Sequence, residues 1–127
     1  MIKIVMNDLL NAVPVLKELS GRNFVGAVTF KIARMIRELD KEITLFDEAR
    51  EKIIEKYAAR KEDGSIDVNE MGNIKVIEGQ IEACNQELGS LLSAEIEVNV
   101  DKIPADAFDN IEFSPSQALV IEALIDF

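Results

Sequence analysis

The sequence feature that most constrains the fold is a long proline-free run of heptad-spaced apolar residues, which predicts a helix over 24–58. Charged residues occupy the outer positions of this run, as is typical of a helix that is buried along one side. At about 1.5 Å per residue the helix would be roughly 50 Å long, too long for a domain of this size to cover. We therefore expect part of it to project or to pack on another chain. Its seam consists of Val28, Ile32, Met35, Leu39, Phe46, Ala49 and Ile53, with Glu42 in one seam position.

A second heptad run predicts a second long helix over 68–93. The polar stretch 60–67 separates the two runs and contains Asp63-Gly64, a pair typical of a tight turn. Because this connection is short, we predict that the two helices lie antiparallel, seam against seam. The second seam consists of Ile74, Ile77, Ile81, Cys84, Leu88 and Leu91.

Two segments alternate between apolar and other residues and are predicted to be strands, over 1–6 and 95–100. They are the strand candidates of the chain, so we expect them to pair as a small antiparallel sheet. This pairing would place Lys3 near Glu95 or Glu97, where opposite charges attract across the strands.

Two shorter amphipathic helices are predicted over 8–20 and 115–126. Pro14 lacks a backbone donor, so the first should kink or restart near Ala12. The second is introduced by a cap, a first-turn proline and a capping-box glutamine, namely Ser114, Pro115 and Gln117.

The expected architecture is one α+β domain over 1–127 that is mostly α, since this length suits one modest core. Its parts are a long antiparallel, coiled-coil-like helical hairpin, a short N-terminal helix, a small antiparallel two-stranded sheet and a short C-terminal helix.

Charge and cysteine content indicate the surroundings in which the chain acts. The 24 acidic residues outnumber the 14 basic ones, and a net charge of −10 disfavours direct binding to nucleic acid or to anionic membranes. Cys84 stands alone, which excludes an internal disulfide and favours a reducing compartment. With no signal peptide and no apolar run of about 18 residues, we expect a soluble cytosolic protein.

The residues that most enzymes use for acid-base, nucleophilic or zinc chemistry are missing. The chain contains no histidine and one cysteine, and its glycines form neither a P-loop nor a dinucleotide fingerprint. Cys84 lies on the second seam, so a buried apolar role is favoured over a reactive thiol. We therefore expect no enzymatic activity, no cofactor and no metal.

Two acidic patterns leave narrower alternatives open. Paired carboxylates at i, i+4, as in Glu38 with Glu42 and Glu51 with Glu55, are compatible with a carboxylate-only hydrolase or a Mg²⁺ site. Such spacing usually marks a solvated helix face instead. Oxygen-bearing residues from Asp63 onward resemble a calcium loop. Val68 and Ile74 nevertheless occupy the positions where that loop needs glycine and glutamate.

The last part of the chain, 94–127, carries eight acidic residues and one basic residue, Lys102. Such a surface could bind a basic partner or imitate a phosphate backbone, and the alternative is that it only keeps the protein soluble. The candidate partner-binding residues are Asp101, Asp106, Asp109, Glu112, Glu122 and Asp126.

Three stretches carry a resemblance: DLLNAVPVLKELSGRNFVGAVTFKIARMIRELDKEITLFDEAREKIIEKY, ELGSLLSAEIEVNVDKIP and FSPSQALVIEALI. In this order the chain resembles a family of small uncharacterised proteins encoded in phages and prophages of Gram-positive bacteria. The resemblance implies a phage or prophage setting, with the bacterial cytoplasm or the virion as the place of action. It implies no activity for any particular residue.

The leading hypothesis is a non-enzymatic structural or assembly protein of a phage or prophage. It would act through protein–protein contacts of the hairpin, with itself as a homo-oligomer and with other phage proteins. One alternative is an acidic inhibitor that occupies a basic site on a nucleic-acid enzyme. A further alternative is a prefoldin-like holdase chaperone.

Overall fold

The computed structural model describes all 127 residues, which form four α-helices and two small sheets. The fold is α+β and mostly helical, with 57% of the residues in helices, which confirms the predicted class. The elements are β1 (Ile2–Val5), α1 (Met6–Leu19), α2 (Gly26–Tyr57), α3 (Ile81–Ser93), β2 (Glu95–Val98), β3 (Ile103–Pro104), α4 (Pro115–Ile121) and β4 (Ile125–Asp126), with 3₁₀ helices at Ala105–Phe108 and Glu122–Leu124.

The residues group into two compact units. The first unit comprises Met1–Thr44 and Ser93–Phe127, and the second comprises Leu45–Leu92. Because α2 runs from Gly26 to Tyr57, it contributes residues to both units.

The predicted antiparallel sheet is present in the first unit as β1 and β2. Lys3 lies opposite Glu97, and the Lys3 Nζ atom is 3.6 Å from Glu97 Oε1, which confirms the predicted pairing. The second strand ends at Val98 instead of residue 100, because the Val100 N–H donates to the Val98 carbonyl at 2.9 Å and turns the chain.

A second sheet in the first unit was not predicted. Strands β3 and β4 are parallel, with Ile103 opposite Ile125. The helix predicted over 115–126 therefore ends at Ile121, because the chain passes through a 3₁₀ turn and buries Leu124 and Ile125 next to β3. Its predicted start is confirmed, since Ser114 and Gln117 form a capping box.

The first helix, α1, passes through Pro14 as one element from Met6 to Leu19, without the predicted restart near Ala12. Pro14 is exposed, and Leu10, whose carbonyl loses its helical donor, lies on the same partly exposed face. Water can therefore satisfy that carbonyl, so the proline costs less than it would in a buried turn.

The core of the first unit is built from one face of each helix together with the inner positions of the strands. Aliphatic side chains from α1, α2, α4 and both sheets are fully removed from solvent, which is the main source of stability in such a fold. Phe108 makes edge-on contacts with Phe24 and with Phe113, at centroid distances of 5.6 and 5.8 Å. The largest fully buried residues are Ile2, Leu9, Leu16, Leu19, Met35, Leu39, Ile103, Ile121 and Leu124.

The helix predicted over 68–93 is wrong in its first half, because α3 begins at Ile81. Residues 68–80 form turns and short bridges instead, so Ile74 and Ile77 do not belong to a helical seam. The Asn69 side chain stabilises a turn by accepting hydrogen bonds from the Met71 and Asn73 N–H groups at 2.9 and 3.0 Å. Gly72 adopts a φ of +81°, which no α-helix contains.

Candidate functional site

A closed ring of backbone hydrogen bonds organises the segment between α2 and α3. The Asp67 N–H donates to the Ala59 carbonyl at 2.8 Å, the Lys75 N–H to Asp67 at 3.0 Å, and the Ala59 N–H to Lys75 at 2.8 Å. We call this the 59/67/75 ring. The Lys75 ammonium also lies 3.6 Å from the Asp67 carboxylate. The ring joins three chain segments without a regular sheet.

Two similar hairpin turns leave the 59/67/75 ring, one over 60–66 and one over 68–74. In each, a four-residue turn ends on a glycine with positive φ, Gly64 at +86° and Gly72 at +81°. This geometry is that of a type I turn followed by a glycine bulge. In the first turn the Ser65 hydroxyl donates to Asp63 at 2.6 Å, and this bond lowers the pKa of the Asp63 carboxyl.

The second unit exposes several large apolar side chains, and most of them lie in the turns beside the 59/67/75 ring. Met71 is 85% exposed and Ile81 is 60% exposed. A groove of about 380 Å³ in the same unit is lined in part by Tyr57 and Leu88. Large apolar side chains that are exposed within one part of a chain are typical of contact sites for other proteins. The exposed residues are Leu45, Val68, Met71, Ile74, Ile77 and Ile81.

A polar cluster links the end of α2 to α3. Lys56 Nζ lies 3.1 Å from Glu87 Oε1 and 5.1 Å from the centre of the Tyr57 ring. Hydrogen bonding with Glu87 raises the pKa of Lys56 and that of Tyr57. Hydrogen bonding from the Tyr57 side chain is the main cause that lowers the pKa of the Glu87 carboxyl, and hydrogen bonding from Lys56 is the second cause. Cys84, on the same helix, is buried, as expected for an apolar role.

A basic cleft in the first unit is a feature that the sequence reasoning missed. It has a volume of about 270 Å³ and lies between α2 and the residues that follow β2. Three cations on α2 line it at intervals of three residues, so they share one side of the helix. We call it the basic cleft; its lining is Lys31, Arg34, Arg37, Glu38, Asn99, Val100 and Asp101.

Two of the cations in the basic cleft are not neutralised within the chain. Lys31 and Arg34 form no salt bridge, whereas Arg37 Nε lies 3.8 Å from Glu38. Phe30, one helical turn before Arg34, is 72% exposed. The sequence does contain a signal for this positive surface. Residues 19–37 include no acidic residue, although the chain has 24 of them.

Three of the six predicted acidic residues lie on neighbouring segments. Asp126 of β4 is paired with Pro104, which directly precedes the 3₁₀ helix that contains Asp106. The Asp109 N–H donates to the Asp106 carbonyl at 3.2 Å at the end of that helix. All three side chains are exposed, and none forms a salt bridge. We call Asp106, Asp109 and Asp126 the acidic surface.

The other three predicted residues are exposed but lie elsewhere. Asp101 lines the basic cleft, and Glu122 lines a separate crevice between α1 and the segment after α4. Glu112 lies in the irregular stretch before Ser114. The six residues therefore do not form one continuous negative surface, and Asp101 stands beside cations.

No group of three or more His, Cys, Asp or Glu side chains is close enough together to hold a metal ion. No helix has both the length and the apolar content required to cross a membrane. No family profile, curated protein or solved structure matches the chain, so the exposed apolar residues, the basic cleft and the acidic surface are the observations on which a function can be proposed.

Proposed function

We propose that this chain is a non-enzymatic structural or assembly protein of a phage or prophage that acts through protein–protein contacts. The observation that carries the proposal is the exposed apolar surface of the second unit, five of whose six residues lie between Val68 and Ile81. Exposed aliphatic side chains concentrated in one segment are unfavourable in water, and a partner protein would remove them from it.

The second unit is proposed to present this surface on a coiled-coil-like helical hairpin formed by the end of α2 and by α3. Supporting contacts are the Lys56–Glu87 ion pair at 3.1 Å and the bond from the Ile77 N–H to the Tyr57 carbonyl at 2.8 Å. The 59/67/75 ring would brace the turns at the end of this hairpin. Turns held in one conformation lose less entropy when a partner binds.

The phage setting is part of the proposal and rests on the resemblance described above. The expected partners are further copies of this chain and other phage proteins. The place of action would be the cytoplasm of the bacterial host or the virion.

A prophage rescue assay tests the proposal. The gene is deleted from the phage or prophage that encodes it, the phage is induced, and plaque-forming particles are counted and viewed by electron microscopy. We expect particle assembly to fail and wild-type protein to restore it. Unchanged particle numbers and morphology after the deletion would refute an assembly role.

Substitutions then connect the assay to the apolar surface. Met71→Glu combined with Ile81→Glu places two charges on exposed positions, so folding should be retained while partner binding is lost. Leu119→Glu is the matched control, because Leu119 is 73% exposed but belongs to the first unit. The control should restore particles and the double variant should not. Full rescue by the double variant would mean that this surface is not the contact site.

A second candidate function is an acidic inhibitor of a nucleic-acid enzyme, favoured by the unpaired and exposed carboxylates of the acidic surface. Such an inhibitor would slow a host polymerase or nuclease in a salt-sensitive manner. The triple variant Asp106→Asn, Asp109→Asn and Asp126→Asn should then lose inhibition. Equal inhibition by the triple variant, or none by the wild type, would exclude this function.

The prefoldin-like holdase is the weakest of the three proposals. It needs two long coiled helices, whereas α3 spans only Ile81–Ser93. A light-scattering assay with an aggregating client protein would test it, and an unchanged aggregation rate would exclude it.

A further inference from the structure

We infer that the basic cleft receives the acidic surface of a second copy of this chain, so that copies associate head to tail. The inference deepens the proposed function, on whose self-association it rests, by naming the residues that meet. The cleft contributes Lys31, Arg34 and Arg37, and the second copy contributes the acidic surface.

Two cations of the basic cleft have no acidic partner within the chain. Lys31 and Arg34 have no carboxylate within salt-bridge distance, although the chain has 24 acidic and 14 basic residues. From Gly26 to Arg37, α2 contains cations and no acidic residue. This part of the helix is therefore a positive surface on a negative molecule, and an acidic group is the ligand that it attracts.

The acidic surface is the complementary one. Asp106 and Asp109 stand one helical turn apart, Asp126 belongs to the adjoining segment, and none of them is neutralised within the chain. Lys102, the one basic residue in 94–127, also forms no salt bridge. The unpaired carboxylates of one copy thus match the unpaired cations of another.

Each surface also carries an exposed aromatic side chain. Phe30 is 72% exposed beside the cations, and Phe127 is 85% exposed beside Asp126. Aromatic residues and arginine are enriched in protein interfaces, because burying a ring adds apolar contact to the charge pairing. Charge alone would give a weak exposed contact, whereas two rings that become buried can hold it.

The lining of the basic cleft distinguishes a protein ligand from a nucleic acid. Glu38 and Asp101 line the cleft together with the cations, and their charges repel a continuous phosphate backbone. A folded surface with a few separate carboxylates can place them against Lys31 and Arg34 while avoiding these two acids. The observations therefore favour a second copy over DNA or RNA.

The two surfaces differ from each other, so the contact is heterologous. Each copy that binds through its cleft still presents its acidic surface to another copy. Such contacts generate rings when the rotation between copies closes, and filaments when it does not. A chain of this kind suits a role in building a larger particle.

Two neutralising variants test the contact. Arg34→Ala with Arg37→Ala removes two of the three cations of the basic cleft, and Asp106→Asn with Asp109→Asn removes two of the three carboxylates of the acidic surface. At about 50 mM salt we expect the wild type to sediment as species larger than the 14.2 kDa chain, and each variant to associate at least about tenfold more weakly. Raising the salt to about 500 mM should weaken the wild type in the same way.

Mixing the two variants gives the decisive result. Each variant keeps one intact surface, so an equimolar mixture can form one contact but cannot extend it. We expect a species of twice the 14.2 kDa mass and nothing larger. The control Lys52→Ala with Lys61→Ala, which removes two exposed cations of the second unit, should associate like the wild type. Circular dichroism checks that every variant is folded.

Several outcomes would overturn the inference. A wild type that stays monomeric at low salt, variants that associate as the wild type does, or a mixture that forms no dimer would each do so. Retarded migration of a labelled oligonucleotide by the wild type, lost in the Arg34→Ala and Arg37→Ala variant, would assign the basic cleft to nucleic acid instead.

The prophage rescue assay separates this inference from the proposed function. A monomeric wild type that still supports particle assembly would refute the head-to-tail contact alone. A chain that associates as described but whose deletion leaves particles unchanged would refute the assembly role alone.

Discussion

The Nζ atom of Lys56 lies 3.1 Å from Oε1 of Glu87, and this ion pair joins the last turn of α2 to α3. The Tyr57 hydroxyl and Lys56 hold the pKa of the Glu87 carboxyl below its ordinary value of 4.5. Hydrogen bonding with Glu87 holds the pKa of Lys56 above its ordinary value of 10.5. The pair therefore makes the stability of the second unit depend on pH.

A carboxyl whose pKa is lowered by folding binds fewer protons in the folded state than in the unfolded chain. Its stabilising effect is complete above the unfolded value of 4.5 and is lost as the pH falls through the lower folded value. Lys56 behaves in the opposite way, because its pKa is raised. Its effect is present below pH 10.5 and is lost as the pH rises further.

Glu87→Gln should consequently lower the unfolding temperature at about pH 7, and its difference from the wild type should shrink as the pH falls below 4.5. Thermal unfolding followed by circular dichroism across this range measures the difference. Glu82→Gln is the control, because Glu82 is exposed on α3 without an ion pair. A Glu87→Gln effect that stays the same at acid pH would contradict the assignment.

The second prediction concerns Gly72, whose φ of +81° ends the hairpin turn over 68–74. Alanine at this position is strained by its Cβ, so Gly72→Ala should lower the free energy of unfolding by about 1–2 kcal/mol, measured by urea denaturation. Gly89→Ala is the matched control. Gly89 lies inside α3 with open space for a Cβ, so this change should add about 0.5–1 kcal/mol. Equal effects of the two substitutions would refute the turn.

The same turns explain where sequence reasoning succeeded and where it failed in the second unit. Ile74 and Ile77 fit the heptad spacing of the second seam, so the spacing of apolar residues alone predicts a helix there. The local residues determine the structure instead, because the Asn69 side chain and Gly72 favour a turn more strongly than two isoleucines favour a helical seam. The repeated pattern KEDGSI and NEMGNI carried this information, with glycines eight residues apart at 64 and 72.

In the first unit, the elements whose signal lies within a short stretch of residues are predicted correctly from the sequence. The alternation around Lys3 and Glu97 and the capping box at Ser114 are local signals, and the structure contains both. Strands β3 and β4 have two residues each, too few to show a period. The basic cleft combines cations of α2 with residues 99–101, which are distant from them in sequence. The sequence can therefore show the positive stretch of α2, but not the cleft that it forms with residues 99–101.

The third prediction concerns the cap of α4. The Ser114 hydroxyl accepts from the Gln117 N–H at 3.2 Å, and the Gln117 side chain accepts from the Ser114 N–H at 2.8 Å. Ser114→Ala removes the first of these bonds and should cost about 1 kcal/mol of unfolding free energy. Ser116→Ala, two residues further along the chain and also exposed, should change it by less than about 0.5 kcal/mol. A loss in Ser116→Ala as large as that in Ser114→Ala would refute the capping role.

The fourth prediction compares two leucines of the first unit that differ in burial. Leu16 of α1 is fully buried, so Leu16→Ala should lower the free energy of unfolding by about 2–5 kcal/mol, from lost burial and the cavity that remains. Leu119 of α4 is 73% exposed, and Leu119→Ala should change it by less than about 0.5 kcal/mol. Urea denaturation measures both. If Leu119→Ala proved as costly as Leu16→Ala, Leu119 would be covered in solution, and the exposed face of α4 would be an additional contact surface.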